Sequence, residues 1–568
     1  MASLPHSAPR DDDGDDKYSK APVSPSRWCS LEMFSFYFVV TCLHFLPLAM
    51  FSPIARKTCD EHPQCKGLLR RGWVGDLSLD LADNQWREFR ANIPMLIQAA
   101  AAFLALSRLA RHFLPPARRS VWYCASSAVY IWALSGTGGA LVLFGIAGLN
   151  FLIGQILGGS RYNPLATWTF GVAVMVINEF RRDWLSLHYL FGEEFRMYDT
   201  RGLLGIHMSM YMRMVFLKMV SFNVDYYWAE QGMSGKASSW HMKALEKYSE
   251  AERDDIARGG GPYSWREKTA RPSSDYNFVA YYAYLFYVPL MLTGPIMPFN
   301  AFISYVHKEQ TSYSSRDLFL YLLRLLIAFL MLDVGSHFYP VIAICTSGAY
   351  EFMYSQPAHL AALVYMTLKS MWLKFLVLWR FFRTWALFDG IEPVENMNRC
   401  MSNNWTLEGF WKSWHRSFNR WLVRYIYIPL GGSHYKYITV FVVFTFVALW
   451  HDMNMKLLAW GWITGLTFLP EMLIKVMFNR IASLRAMKKK NYFRFLVAFG
   501  GALNILLLMV ANMVGYSVGL SGTGGIASSI TWGNALLVLY VVWVLANGVI
   551  FMQEWREEEK RRGIKKDY

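Results

Sequence analysis

Residues 410–424 read Phe410-Trp411-Lys412-Ser413-Trp414-His415-Arg416-Ser417-Phe418-Asn419-Arg420-Trp421-Leu422-Val423-Arg424, and residues 444–452 read Phe444-Thr445-Phe446-Val447-Ala448-Leu449-Trp450-His451-Asp452. The second stretch ends an apolar run that begins near Val440, and its histidine stands between a tryptophan and a carboxylate. The first carries cations at Lys412, Arg416, Arg420 and Arg424, beside the aromatic set Trp411, Trp414, Phe418 and Trp421. Residues four apart share a helix face, so this spacing predicts one helix with a basic stripe and a separate aromatic face. Such a helix suits a membrane interface, where its cations meet either the phosphates of a bound ligand or lipid headgroups. Spacing favours neither.

Outward from this stretch the chain is a succession of apolar runs. They fall at about 33–51, 93–109, 121–134, 140–157, 165–178 and 203–222, then 276–305, 318–333, 338–352 and 359–378. Beyond the quoted residues they resume at 440–450, 456–473, 493–520 and 535–551. A bilayer crossing needs about 20 apolar residues, so the runs predict roughly ten to thirteen embedded segments, the shorter ones tilted or re-entrant. Of the 568 residues 54% are hydrophobic and only 17% charged, against about a quarter charged in soluble chains. Seven cysteines are too few for a disulfide-rich secreted scaffold. The fold class read from this is an all-α polytopic membrane protein. No internal repeat of 20–50 residues supports an array, and no nucleic-acid partner is expected despite the net charge of +16.

The ends differ from the middle. Residues 1–30, with Asp11, Asp12, Asp13, Asp15 and Asp16, form an acidic tail too polar to bury a core and expected to be disordered. They lack the pattern of a cleaved signal peptide. Residues 31–552 form the multi-span domain, with a catalytic core at about 276–476. Residues 553–568 form a basic tail that argues for a cytosolic C-terminus. Lys565 and Lys566 within it resemble a dilysine retrieval signal, so the expected address is the endoplasmic-reticulum membrane. The segment 225–274 reads as a surface loop with some helix. Between the first two runs, Cys59, His62 and Cys65 make a weak metal set, and a disulfide if the loop is luminal. Trp73 to Trp86 suits an interfacial segment. Glu179, Asp183, Asp333, His337 and Glu351 lie in or beside spans and together point to an internal polar cavity.

A histidine is the natural general base for a hydroxyl near neutral pH, which makes His451 a candidate, with His415 on the neighbouring polar helix adding weight. The pattern Trp411…Trp414-His415-x-Ser417…Arg420-Trp421, then Tyr427-Ile428-Pro429-Leu430-Gly431-Gly432, then Leu449-Trp450-His451, resembles the membrane-bound O-acyltransferase superfamily. More narrowly, 414–421, Trp450-His451-Asp452 and Asp83-Asn84-Gln85-Trp86-Arg87-Glu88-Phe89-Arg90 look like the fungal glycerol-uptake-protein family. The resemblance runs from about residue 70 to the last span.

That resemblance implies transfer of a long fatty acyl chain from acyl-CoA to the lyso-lipid of a glycosylphosphatidylinositol (GPI) anchor, or to a related lysophospholipid, among membrane lipids. It implies His451 as the invariant histidine and His415 as the second catalytic position. Substrate binding is expected from Lys412, Trp414, Arg416, Asn419, Arg420, Arg424, Trp450 and Asp452, the basic stripe holding the phosphates of CoA. No metal is called for by the chemistry. In the related hedgehog acyltransferase branch a cysteine fifteen residues before the second catalytic position ligates haem, and Cys400 stands at that spacing from His415. A haem thiolate and a lipidated or buried cysteine are the two readings of Cys400. The rival functions are a polyol transporter, against which stands the lack of inverted repeats, and a non-catalytic regulator, against which stand the two retained histidines.

Overall fold

A computed structural model describes residues 26–199, 202, 208–232 and 248–563. The aspartates at 11–16 and the Lys565–Lys566 signal lie outside these residues. Among the described residues eight helices are long and apolar enough to cross a membrane: Leu31–Glu61, Asn84–Phe113, Pro116–Leu157, Ser315–Phe338, Pro357–Phe388, Met455–Arg480, Phe493–Tyr516 and Trp532–Arg561. A shorter apolar helix, Lys436–His451, carries the second quoted stretch. The chain is thus an all-α polytopic membrane protein. Its lipid-facing helices keep leucine and isoleucine outward, as at Leu326, Ile327 and Leu330, because hydrocarbon rather than water surrounds them.

Several expected runs resolve into different elements. The runs at 121–134 and 140–157 form two helical segments within Arg119–Leu157, broken at Gly136, where φ is 75°. Only glycine takes that backbone region without steric cost. The run at 276–305 is not a span: short helices Phe278–Leu285 and Phe299–His307 are almost wholly buried inside the protein. The run at 338–352 likewise becomes the short helix Val341–Ser347 and a 3-10 turn. The segment read as a surface loop carries helices Glu250–Ala257 and Tyr263–Lys268 in its described part, and buries Arg266 and Glu267.

Of the polar residues expected to line an internal cavity, Asp333, His337 and Glu179 are used in packing, and Asp183 and Glu351 are exposed. Asp333 accepts from Trp73 Nε1 at 2.6 Å and from Arg90 Nε at 2.6 Å, and His337 Nε2 accepts from Trp73 N at 3.1 Å. These contacts pin a small antiparallel hairpin, Leu69–Arg71 with Ser78–Asp80, over the end of Ser315–Phe338. Glu179 pairs with Arg213.

The molecule has two distinguishable ends. At one, Cys59 and Cys65 form a disulfide. The apolar cluster around them includes Val341 and Tyr350 and is joined by Val518 and Ile526, just beyond the end of Phe493–Tyr516. At the opposite end the start of the first span meets the start of Phe493–Tyr516 and the end of the last span. Arg494 pairs there with Glu32, and Arg27 N donates to Glu554 at 3.1 Å.

Candidate active site

The basic-aromatic stretch does not form the continuous helix that its spacing predicts. Leu407–Ser413 and Arg416–Leu422 are separate helices, and the corner between them is His415, with φ 45° and ψ 48°. His415 is the only non-glycine residue with positive φ among the described residues. A left-handed backbone costs an ordinary residue about 1–2 kcal/mol and persists where neighbours hold it. Asn396 does the holding. Its carbonyl accepts from Arg416 N and its side-chain oxygen from Ser417 N, each at 3.1 Å. Ser417 Oγ in turn accepts from Ile296 N at 2.9 Å.

The corner turns the His415 ring onto Trp379, with centroids 4.4 Å apart and planes 20° apart, and against Phe418 at 5.1 Å. Burial, and then the neighbouring His451, pull the His415 imidazole down to about 3, so it is neutral at working pH. Phe418 also packs on Trp450 at 4.4 Å and lies 6.5 Å from the ring of His451. The two histidines therefore flank one phenylalanine.

His451 ends the helix Lys436–His451. Its ring is boxed by Trp450, Tyr516 at 5.9 Å and Trp460 at 6.2 Å. The helix Met455–Arg480, which carries Trp460, approaches closely because of Gly461: a Cβ there would stand 2.8 Å from the Phe444 carbonyl oxygen. Arg213 anchors the helix end. Its Nη1 donates to the His451 carbonyl at 2.6 Å, its Nη2 to Glu179 at 2.6 Å and to Asp452 at 3.4 Å, and its own carbonyl accepts from Trp450 Nε1 at 3.0 Å. Among the described residues neither imidazole has a hydrogen-bond partner for its ring nitrogens, so both can serve a reactant.

The other expected site residues fall into two groups. Trp414 stacks on Phe410 and meets Trp379, close to His415, and Asn419 N donates to the His415 carbonyl at 3.0 Å. Lys412 pairs with Glu408 at 3.0 Å, and Arg416 follows the corner directly. Arg420 and Arg424 are engaged inside the protein, contrary to the phosphate-holding stripe expected of them. Arg420 pairs with buried Glu267 and lies over the Tyr263 ring. Arg424 pairs at 2.8 Å with Asp225, whose side chain is fully buried, and lies over Trp228. A buried carboxylate demands a cation, and sequence spacing does not show where carboxylates pack.

Cys400 does not fit a haem ligand. Lys369 Nζ donates to its sulfur at 3.5 Å, so the thiol already has an ammonium as its neighbour. The described residues hold no group of three or more His, Cys, Asp or Glu suited to a metal ion.

Arg213, Trp379, Asn396 and Tyr516 were missed by sequence reasoning. Arg213 had a signal, a cation inside the apolar run at 203–222. Trp379 and Tyr516 are indistinguishable from ordinary span aromatics.

Comparison with known proteins adds to this geometry. The profile of MBOAT, the membrane-bound O-acyltransferase family, matches residues 199–514, which include both histidines. The chain is 34% identical over 548 residues to "Membrane-bound O-acyltransferase gup1" of Schizosaccharomyces pombe, covering 94% of this chain and 89% of that protein. It is 30% identical over 560 residues to "Membrane-bound O-acyltransferase GUP1" of Saccharomyces cerevisiae, covering 96% and 95%. A shorter similarity, 26% over 185 residues, 31% of this chain and 37% of the relative, links it to mouse "Protein-cysteine N-palmitoyltransferase HHAT".

Proposed function

Since the chain belongs to the membrane-bound O-acyltransferase family and is an acyltransferase, we propose that it moves a long fatty acyl group from acyl-CoA to the hydroxyl of a lyso-lipid, foremost that of a GPI anchor. The observation that carries this is the pair of imidazoles, His415 and His451, with unpartnered ring nitrogens on either side of Phe418.

In this reading the acceptor hydroxyl attacks the thioester carbonyl while His451 takes its proton. The tetrahedral intermediate collapses, the C–S bond breaks, and the proton returns to the departing CoA thiolate, leaving ester and free CoA. His415, neutral and fixed by its stacking on Trp379, orients the thioester or donates to the developing oxyanion, with Asn419 beside it. Trp414 and Trp450 wall the reacting groups, and Asp452 flanks them. Of the cations, this reading keeps Lys412, whose pair with Glu408 is solvent-exposed, for the phosphates of CoA, while Arg420 and Arg424 brace the scaffold.

The two ends support an orientation. Disulfides persist in oxidising compartments, so this reading assigns the Cys59–Cys65 end to the lumen of the endoplasmic reticulum. Tyr516, which packs on His451, precedes the residues that join the disulfide cluster, and this reading brings the acceptor in from that side. Lys488, Lys489 and Lys490 lie at the opposite end beside the close of the last span, in keeping with cytosolic enrichment of basic loops.

The test is the purified chain, a panel of acyl-CoA donors, and lyso-phosphatidylinositol or lyso-GPI acceptors, read by mass spectrometry. Acylated product with the wild type and none with His451→Ala is the expected result. Donor turnover with no lyso-lipid as acceptor would overturn the substrate assignment, and no turnover of any acyl-CoA would overturn the donor.

A further inference from the structure

A cavity of about 450 Å³ opens where the first span and Phe493–Tyr516 begin and the last span ends. Its polar rim includes Arg27, Lys488, Lys489, Lys490 and Arg494, and basic side chains outnumber acidic ones around it seven to two. Its apolar wall is Met33, Trp405, Phe493, Val497 and Ile550. None of these residues contacts the ring of His415 or His451, so the cavity is separate from the candidate active site.

The arrangement is amphiphilic in a definite direction. Phe493 and Val497 begin one spanning helix, Met33 lies two residues into another, and Ile550 lies near the end of a third. The basic rim therefore sits where these helices leave the bilayer, and the apolar wall runs inward between them. Lys489 and Lys490 have no ion-pair partner among the described residues, and Arg494 Nε is buried with no hydrogen-bond acceptor although its Nη2 is paired with Glu32. A surplus of exposed cations over carboxylates beside the ends of three spans attracts an anionic headgroup.

We propose that this cavity binds a phosphate-bearing amphiphile, its phosphate on Lys488–Lys490 and Arg494 and its chain along Phe493 and Val497. An anionic lipid headgroup and the phosphates of a CoA thioester share that chemistry. The apolar wall that adjoins the basic rim favours the lipid. The assignment is independent of the acyl-transfer reading, because it concerns binding away from both histidines.

The experiment uses the full chain in detergent, with native mass spectrometry of bound lipid. Phosphatidic acid, phosphatidylcholine and free CoA are the probes, and wild type is compared with Lys488→Gln/Lys489→Gln/Lys490→Gln. Each juxtamembrane lysine contributes about fivefold to anionic-lipid binding, so the triple variant should lose about a hundredfold for phosphatidic acid, with phosphatidylcholine unchanged. Raised salt should weaken wild type more than the variant. Displacement of phosphatidic acid by equimolar CoA would identify the CoA phosphates as the source, whereas persistence of the lipid identifies the headgroup. Equal retention of phosphatidic acid by wild type and a folded triple variant overturns the proposal. If the triple variant fails to fold, Lys489→Gln alone takes its place: a loss of about fivefold supports the site, and unchanged retention overturns it.

Discussion

Arg213 Nη1 donates to the carbonyl oxygen of His451 at 2.6 Å. The last carbonyls of a helix have no partner within it, and a guanidinium there satisfies one while opposing the negative end of the helix dipole. Because Nη2 also reaches Glu179, the bond ties the helix carrying the proposed base to the end of Tyr162–Phe180. Arg213→Met should lower kcat by about 10²-fold, the scale of a small misplacement of a reacting group, while donor KM changes little. Arg213→Lys should recover part of it. A loss confined to KM in steady-state kinetics would refute a positioning role.

His451→Ala should reduce acyl transfer by about 10²–10⁴-fold, the range for removing a positioned base, in a protein that still folds and enters the membrane. Near-normal turnover by that variant removes the proposed base.

The left-handed corner at His415 gives a stability ranking that chemistry alone does not. Asparagine tolerates this backbone region far better than β-branched residues. His415→Asn should keep most of the thermal stability, while His415→Val should lose about 1–2 kcal/mol or more beyond the cost of its lost stacking on Trp379. Melting temperatures of the two variants in one detergent check the order.

Folding holds the His415 imidazole down to about 3, mainly by burial, whereas in the unfolded chain it titrates near 6.5. The unfolded chain then binds the extra proton across this window, so stability should fall as pH drops from about 6.5 toward 3. His415→Asn should flatten that slope. Identical pH profiles of melting temperature for wild type and variant would exclude the linkage.

Arg424 and Asp225 form a buried pair, and removing one partner of such a pair typically costs about 3–5 kcal/mol. Arg424→Gln should therefore lower thermal stability with little effect on donor KM. Asp225→Asn in the same chain should restore part of the loss. For Lys412→Gln the expectation is reversed, a raised donor KM at near-normal stability, and Michaelis constants with melting curves for each protein distinguish the two.

The membrane class and the spanning helices were legible because long apolar runs have few alternatives in any solvent. Both histidines were legible through their neighbours in sequence. The break at His415 was not, since no glycine or proline marks it and the strain is held by Asn396, nineteen residues earlier. Nor was the fate of the arginines. Asp225 and Glu267 lie in a segment whose polarity reads as solvated, and only folding shows that both are buried beneath Arg424 and Arg420. Short buried helices such as Phe278–Leu285 mimic spans because protein interior and lipid select the same side chains.

The hairpin latch has a consequence for biosynthesis. Trp73 finds His337 264 residues later in the chain, and Arg90 finds Asp333 243 residues later. At ribosomal speeds of about 5–20 residues per second, the hairpin waits roughly 13–50 s for its partners to be made. The Cys59–Cys65 bridge, spanning a sequence separation of only 6, can close at the start of that interval. The nascent loop can thus be covalently closed before it is docked, and a reductant pulse applied during synthesis should hurt the yield of folded protein more than the same pulse applied after release.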